Sequence, residues 1–160
     1  MADKPPQDRV SLAPYLRTFA LVYALLAAIV GVVVAWFNIE NSAMGIITAF
    51  AAVSAPAQSF TTTHNRLMTR GELVRFASYG TLITVAITAM LAAGFYLAYV
   101  GTDNAGSFLQ ETWARLAADA SIVAIAVPIV LLVTWLVLYL AAWQFGRQAF
   151  KAAQLRKMPS

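Results

Sequence analysis

The stretch Thr18–Ile39, TFALVYALLAAIVGVVVAWFNI, decides how the chain folds: it is 22 residues without a charge and continuously apolar from Ala20 to Ala35. At about 1.5 Å of rise per residue, roughly 20 helical residues cross the roughly 30 Å hydrocarbon core of a bilayer. No water reaches backbone amides there, so a crossing segment is either a helix or a strand of a closed barrel. Barrel strands are alternating segments of about 10 residues, and this run does not alternate. It reads as a transmembrane helix. It is longer than the roughly 7–15 apolar residues of a signal peptide, and no small-x-small cleavage site follows Phe37, so it is expected to be retained.

Working outward, three more charge-free gaps follow. Asn41–Thr63 has 23 residues, and Phe76–Thr102 and Ala120–Gly146 have 27 each. The expected fold is all-α: an integral membrane four-helix bundle with spans at residues 18–38, 43–63, 76–100 and 120–146. A disordered leader at 1–11 precedes a membrane domain at 12–155, and a basic tail at 156–160 follows it. The second gap is the least apolar, with Thr48, Ser54, Gln58 and Ser59 among small residues. It is expected to insert as the returning half of a hairpin joined by the turn 38–42, packed against protein on most sides.

Composition agrees. Of 160 residues, 61% are hydrophobic and 11% charged, with a mean hydropathy of +0.71. Soluble domains run at about 45–50% and about 25%. An ordinary soluble domain and a disordered chain are both excluded. The absence of cysteine excludes a disulfide scaffold, thiol catalysis and thiolate metal sites. A single histidine, His64, cannot build a polyhistidine metal centre, and no cofactor is expected.

The basic residues set the orientation. Lys4, Arg9 and Arg17 precede the first span; Arg66, Arg70 and Arg75 lie between the second and third; Arg147, Lys151, Arg156 and Lys157 follow the fourth. Only Arg115 is on the other side, so ten of eleven share one face. By the positive-inside rule that face is cytoplasmic, and both termini are inside. The net charge of +4 then serves topology and anionic headgroups rather than nucleic acid. Aromatic residues fall at both edges and are expected to anchor the helices at the interfaces. Tyr15, Phe19, Phe60, Phe76, Tyr79, Trp143 and Phe145 mark the inner edge, and Trp36, Phe37, Tyr96, Tyr99, Phe108 and Trp113 the outer.

No ionisable residue sits at the centre of a span, which argues against a proton- or cation-coupled exporter. Glu40 is read as a solvated charge of the outer turn. Thr81, Thr84 and Thr88 share one face of the third span, and Gln58 lies near the inner end of the second. These could line a polar path, but interhelical hydrogen bonding is the favoured reading. Small residues recur every fourth position: Ala27, Gly31 and Ala35; Ala51, Ala55 and Ser59; Gly80 and Thr84; Ala120 and Ala124. Such rows let helix backbones approach, within one chain or between two. Pro56 and Pro128 are expected to bend their helices.

The inner loop is the densest polar stretch. Thr69 and Glu72 have capping-box spacing, starting a helix that runs into the third span. His64 with Arg66 would be the acid–base and anion-binding pair of an interfacial enzyme. No nucleophile, second carboxylate or glycine-rich loop accompanies them, so His64 is read as a solvated loop residue. In the outer loop Ser107 and Gln110 repeat the capping spacing. Leu109, Trp113 and Leu116 then share a face, and Glu111 pairs with Arg115, giving a short interfacial helix before the fourth span.

Residues 12–100 resemble the ABZJ family of uncharacterised bacterial inner-membrane proteins. The resemblance rests on Arg17-Thr18-Phe19, Asn38, Gly45, Ala51-Ala52, Gln58-Ser59-Phe60, Arg66, Thr69 with Glu72, and Arg75-Phe76-Ala77. It implies a four-span protein of the bacterial inner membrane with no assigned activity, and it transfers no site residues. The expected function is that of a non-enzymatic accessory or structural component acting through helix–helix contacts. The alternative is a small oligomeric transporter or channel. Expected partners are the lipid bilayer and either a second copy of the chain or another membrane protein.

Overall fold

The computed structural model describes residues 10–37, 44–100 and 105–155. The leader up to residue 9, the outer turn with Glu40, and the tail 156–160 lie outside those residues. So do the side chains of Tyr99, Ser107, Phe108, Leu109, Arg115 and Leu116.

Every regular element among the described residues is a helix: α1 Ala13–Phe37, α2 Met44–His64, α3 Arg70–Val100, α4 Ala105–Ala118 and α5 Ala120–Leu155. Local chemistry explains the boundaries. Pro14 stands in the first turn of α1, where its missing N–H costs nothing, and the carbonyl of Leu12 accepts from the amide of Leu16 at 3.0 Å. α2 stops where Asn65 takes a φ of 48°, the left-handed turn that often ends a helix and that Asn tolerates. The carbonyl of Asp119 accepts from Ile122 and Val123, starting α5 one residue after α4 ends. α4 begins at Ala105, so Ser107 lies inside its first turn and not at the cap position its spacing suggested.

Three helices, α1, α3 and α5, are long and apolar enough to cross a membrane. α2 is diluted by Thr, Ser and Gln. It packs between α1 and α5, and α3 does the same, so α2 and α3 sit diagonally, each held by the same two neighbours. α2 buries one face: Thr48, Ala49, Ala52, Val53, Pro56, Ala57, Phe60 and Thr61. Pro56 stands inside that buried face, so the backbone donor it lacks is missing from the packed side of the helix.

The core lies toward the basic end. Its residues are Tyr15, Phe19 and Tyr23 of α1, Leu73, Phe76, Ala77, Gly80, Thr81 and Thr84 of α3, and Leu138, Ala141, Ala142 and Gly146 of α5, besides the α2 face. Beyond Tyr23, beyond Thr84 and before Leu138, no described residue of α1, α3 or α5 is buried. Four aromatic residues expected at the inner interface are therefore core residues instead. Phe19, Phe60 and Phe76 are fully buried and Tyr15 nearly so. Phe19 meets Phe76 edge-on at 5.9 Å, and Tyr15 meets Phe60 edge-on at 5.2 Å, the arrangement ring quadrupoles prefer. Only Tyr79 and Trp143 of that group are exposed. Gly80 makes the close approach possible: a Cβ there would meet Cδ1 of Leu138 at 3.1 Å and Cε1 of Phe19 at 3.7 Å.

Candidate functional site

The polar groups of the inner loop converge on the basic end of the core. His64, the last residue of α2, is half-buried rather than solvated: its Nε2 lies 3.0 Å from the Tyr15 hydroxyl, and its ring lies 4.7 Å from that of Phe60. The start of α1 is thus tied to the end of α2. Arg66 lies over the Phe60 ring at 5.1 Å, a cation–π contact. Its guanidinium also donates to both Glu72 carboxylate oxygens, at 2.8 and 2.7 Å, and to the carbonyl of Leu67 at 3.1 Å.

Glu72 closes the ring of contacts at α3. It accepts from the Thr69 amide at 2.7 Å, while its own amide donates to the Thr69 hydroxyl at 3.3 Å. Those two bonds are the reciprocal capping box, and they satisfy amides the helix leaves orphaned. Glu72 lies ahead of the apolar stretch of α3 that begins at Phe76. The Arg66 hydrogen bonds hold its carboxyl at about 2, well below the usual range, against the opposing effect of burial and with help from Thr69. The Arg66 guanidinium is pushed further toward its charged form by the same carboxylate.

Tyr15, His64, Phe60, Arg66, Glu72 and Thr69 therefore form one clasp across α1, α2 and α3. Arg66 spends its donors on Glu72 and Leu67, so it does not present a free anion-binding fork. The pairing of His64 with Arg66 belongs to the enzymatic alternative; in the structure His64 meets Tyr15 and Arg66 meets Glu72. Tyr15 and Phe60 were missed as members of the cluster. The signal for Tyr15 was the recurrence of aromatic rings at Tyr15, Phe19 and Tyr23, which face one side of a helix; Phe60 carried none of that kind.

Two of the three hydroxyls in the α3 row are occupied within the protein. Thr81 donates to the Ala77 carbonyl at 2.9 Å, and Thr88 pairs with the Tyr23 hydroxyl of α1 at 2.9 Å. Thr84 is buried, and its hydroxyl meets no partner among the described residues. In α2, Thr48, Ser54, Thr61 and Thr62 bond back to carbonyls of their own helix, a habit of hydroxyls in membrane helices. Ala51, Ala55 and Gln58 are exposed, together with Ser59. The Ala51, Ala55 and Ser59 row was expected inside a helix contact. It faces outward because the buried stripe runs through Ala49, Val53 and Ala57, on the opposite side of a 3.6-residue helix.

Among the described residues, no group of three His, Asp or Glu could hold a metal ion. Compared with known proteins, the chain matches no family model, no curated protein and no solved structure.

Proposed function

We propose that the chain is a non-enzymatic component of the bacterial inner membrane, a four-span helix bundle with both termini cytoplasmic that works through contacts with another membrane helix. The observation that carries this reading is the outward face of α2. Ala51, Ala55, Gln58 and Ser59 are all exposed on it. A polar side chain turned to hydrocarbon loses water without gaining a partner, whereas small residues every fourth position suit a close second helix. Lipid tails are a poor occupant for such a face, and a protein helix is a good one.

Two features support four spans. α2 ends at His64 beside Tyr15, in the first turn of α1, so a chain that crosses in α1 returns in α2. The ten-to-one distribution of basic residues also fits an even number of crossings. Membership of the ABZJ family belongs to the same proposal and rests on the residues quoted for it. The hydroxyls of α3 and α2 weigh against a lined transport path, because most are occupied within the protein.

Mass measurement in a gentle detergent tests the proposal. The wild-type protein should carry a stoichiometric second copy or partner, and Ala51→Leu and Ala55→Leu should release it while leaving the monomer's melting temperature unchanged. A wild-type monomer that cross-links to nothing in native membranes would overturn it.

A further inference from the structure

A cavity of about 420 Å³ opens between the first turn of α3 and the basic end of α5, beside the clasp. Arg70 and Arg147 stand in its wall with Leu73, Tyr139, Leu140 and Trp143. Both arginines are exposed, and among the described residues the ion pair of this region, Arg66 with Glu72, involves neither. The Arg147 guanidinium lies 4.3 Å from the centroid of the Trp143 ring, which holds it along the wall. Tyr139 is steadied by stacking on Trp135 at 5.5 Å. From the cavity an apolar ridge runs along α5 away from the basic end, through exposed Trp143, Leu140 and Leu136.

The structure assigns this cavity, we propose, to one anionic phospholipid. Its phosphodiester lies between Arg70 and Arg147, and an acyl chain follows Leu140 and Leu136. Two unpaired guanidiniums beside an amphipathic ring call for an anion at headgroup depth, as basic pockets between membrane helices do. Guanidinium groups suit phosphate oxygens because their donors form a planar fork. The apolar ridge below them is what separates a lipid from a free anion: inorganic phosphate would leave it unused. The assignment rests on the membrane-embedded reading of the chain, not on which face is cytoplasmic.

Native mass spectrometry of the full chain in detergent, titrated with dioleoyl phosphatidylglycerol or dioleoyl phosphatidylcholine, tests it. The wild type should retain phosphatidylglycerol preferentially, and each lost arginine should cut that preference about fivefold. Arg70→Gln with Arg147→Gln should bring the two lipids close to parity. Arg17→Gln with Lys151→Gln, which removes the same charge outside the cavity, should leave the preference intact. Arg147→Gln alone, read in the same way, serves if the double variant does not fold. Equal loss in the control pair would overturn the site in favour of the general field of the basic end. Displacement of phosphatidylglycerol by millimolar inorganic phosphate would overturn the lipid as occupant. Carbonate extraction separates the two failures: a protein that stays in the membrane without a lipid preference sinks this site alone, and one that is extracted sinks the membrane reading.

Discussion

The hydroxyl of Tyr15 meets Nε2 of His64 at 3.0 Å, joining the first turn of α1 to the last residue of α2 across 49 positions of sequence. A side-chain hydrogen bond of this kind contributes about 0.5–1.5 kcal/mol. Tyr15→Phe should destabilise by about that much, and His64→Gln by at least as much, because the ring contact with Phe60 goes as well. Thermal melts in one detergent check both. Unchanged melts would return His64 to the status of a solvated loop residue.

Glu72 sets an acid limit. Its carboxyl titrates at about 2 in the fold against an ordinary 4.5. A depressed pKa adds stability that is fully present above the unfolded value and disappears as pH falls through the folded one. The melting temperature should therefore drop between about pH 4.5 and pH 2, and Glu72→Gln should flatten that part of the curve while lowering the plateau at neutral pH. Parallel curves for the two proteins would show that Glu72 contributes nothing to the acid transition.

Gly80 reports on the packing of α3 against α5. A Cβ would press on Leu138 Cδ1 at 3.1 Å, the flexible end of a side chain that can yield slightly. Alanine is also a better helix former than glycine, so Gly80→Ala should be near neutral. Gly80→Leu should cost about 1–3 kcal/mol by overpacking. Gly94, whose Cβ would meet nothing within 4 Å, is the control: Gly94→Leu should melt no lower than the wild type.

Topology can be read chemically because the chain has no cysteine of its own. Cysteines placed at Ser42 and Asn104 should react with an impermeant thiol reagent in intact cells. Those at Asn65 and Ser160 should react only after permeabilisation. The reverse pattern would invert the orientation, and reaction of all four from outside would remove the four-span arrangement.

How much of this was legible follows from how local each signal is. α1, α3 and α5 announce themselves through long charge-free runs, and the Thr69 and Glu72 cap is written within four residues. The partners of Tyr15 and His64 were not legible, since a bond between residues that far apart leaves no local trace. The buried face of α2 was hidden for another reason. Ala, Ser and Thr occur all round that helix, so no periodic contrast separates Ala51 and Ala55 outside from Ala52 and Ala57 inside. The aromatic rings misled because burial and interfacial anchoring favour the same residues near a helix end.

The diagonal placement of α2 and α3 bears on how the protein is made. Ribosomes release the chain from its N-terminus, so α5 emerges after α1 to α4. Until then, three groups lack the contact it brings: the Ser78 hydroxyl its hydrogen bond from Trp135, Gly80 the side chain of Leu138, and Phe50 the ring of Phe145. A nascent chain holding only α1 to α4 keeps one of the two helices that bracket the core. Premature stop codons before Ala120 should therefore yield a quality-control substrate rather than a shortened working protein.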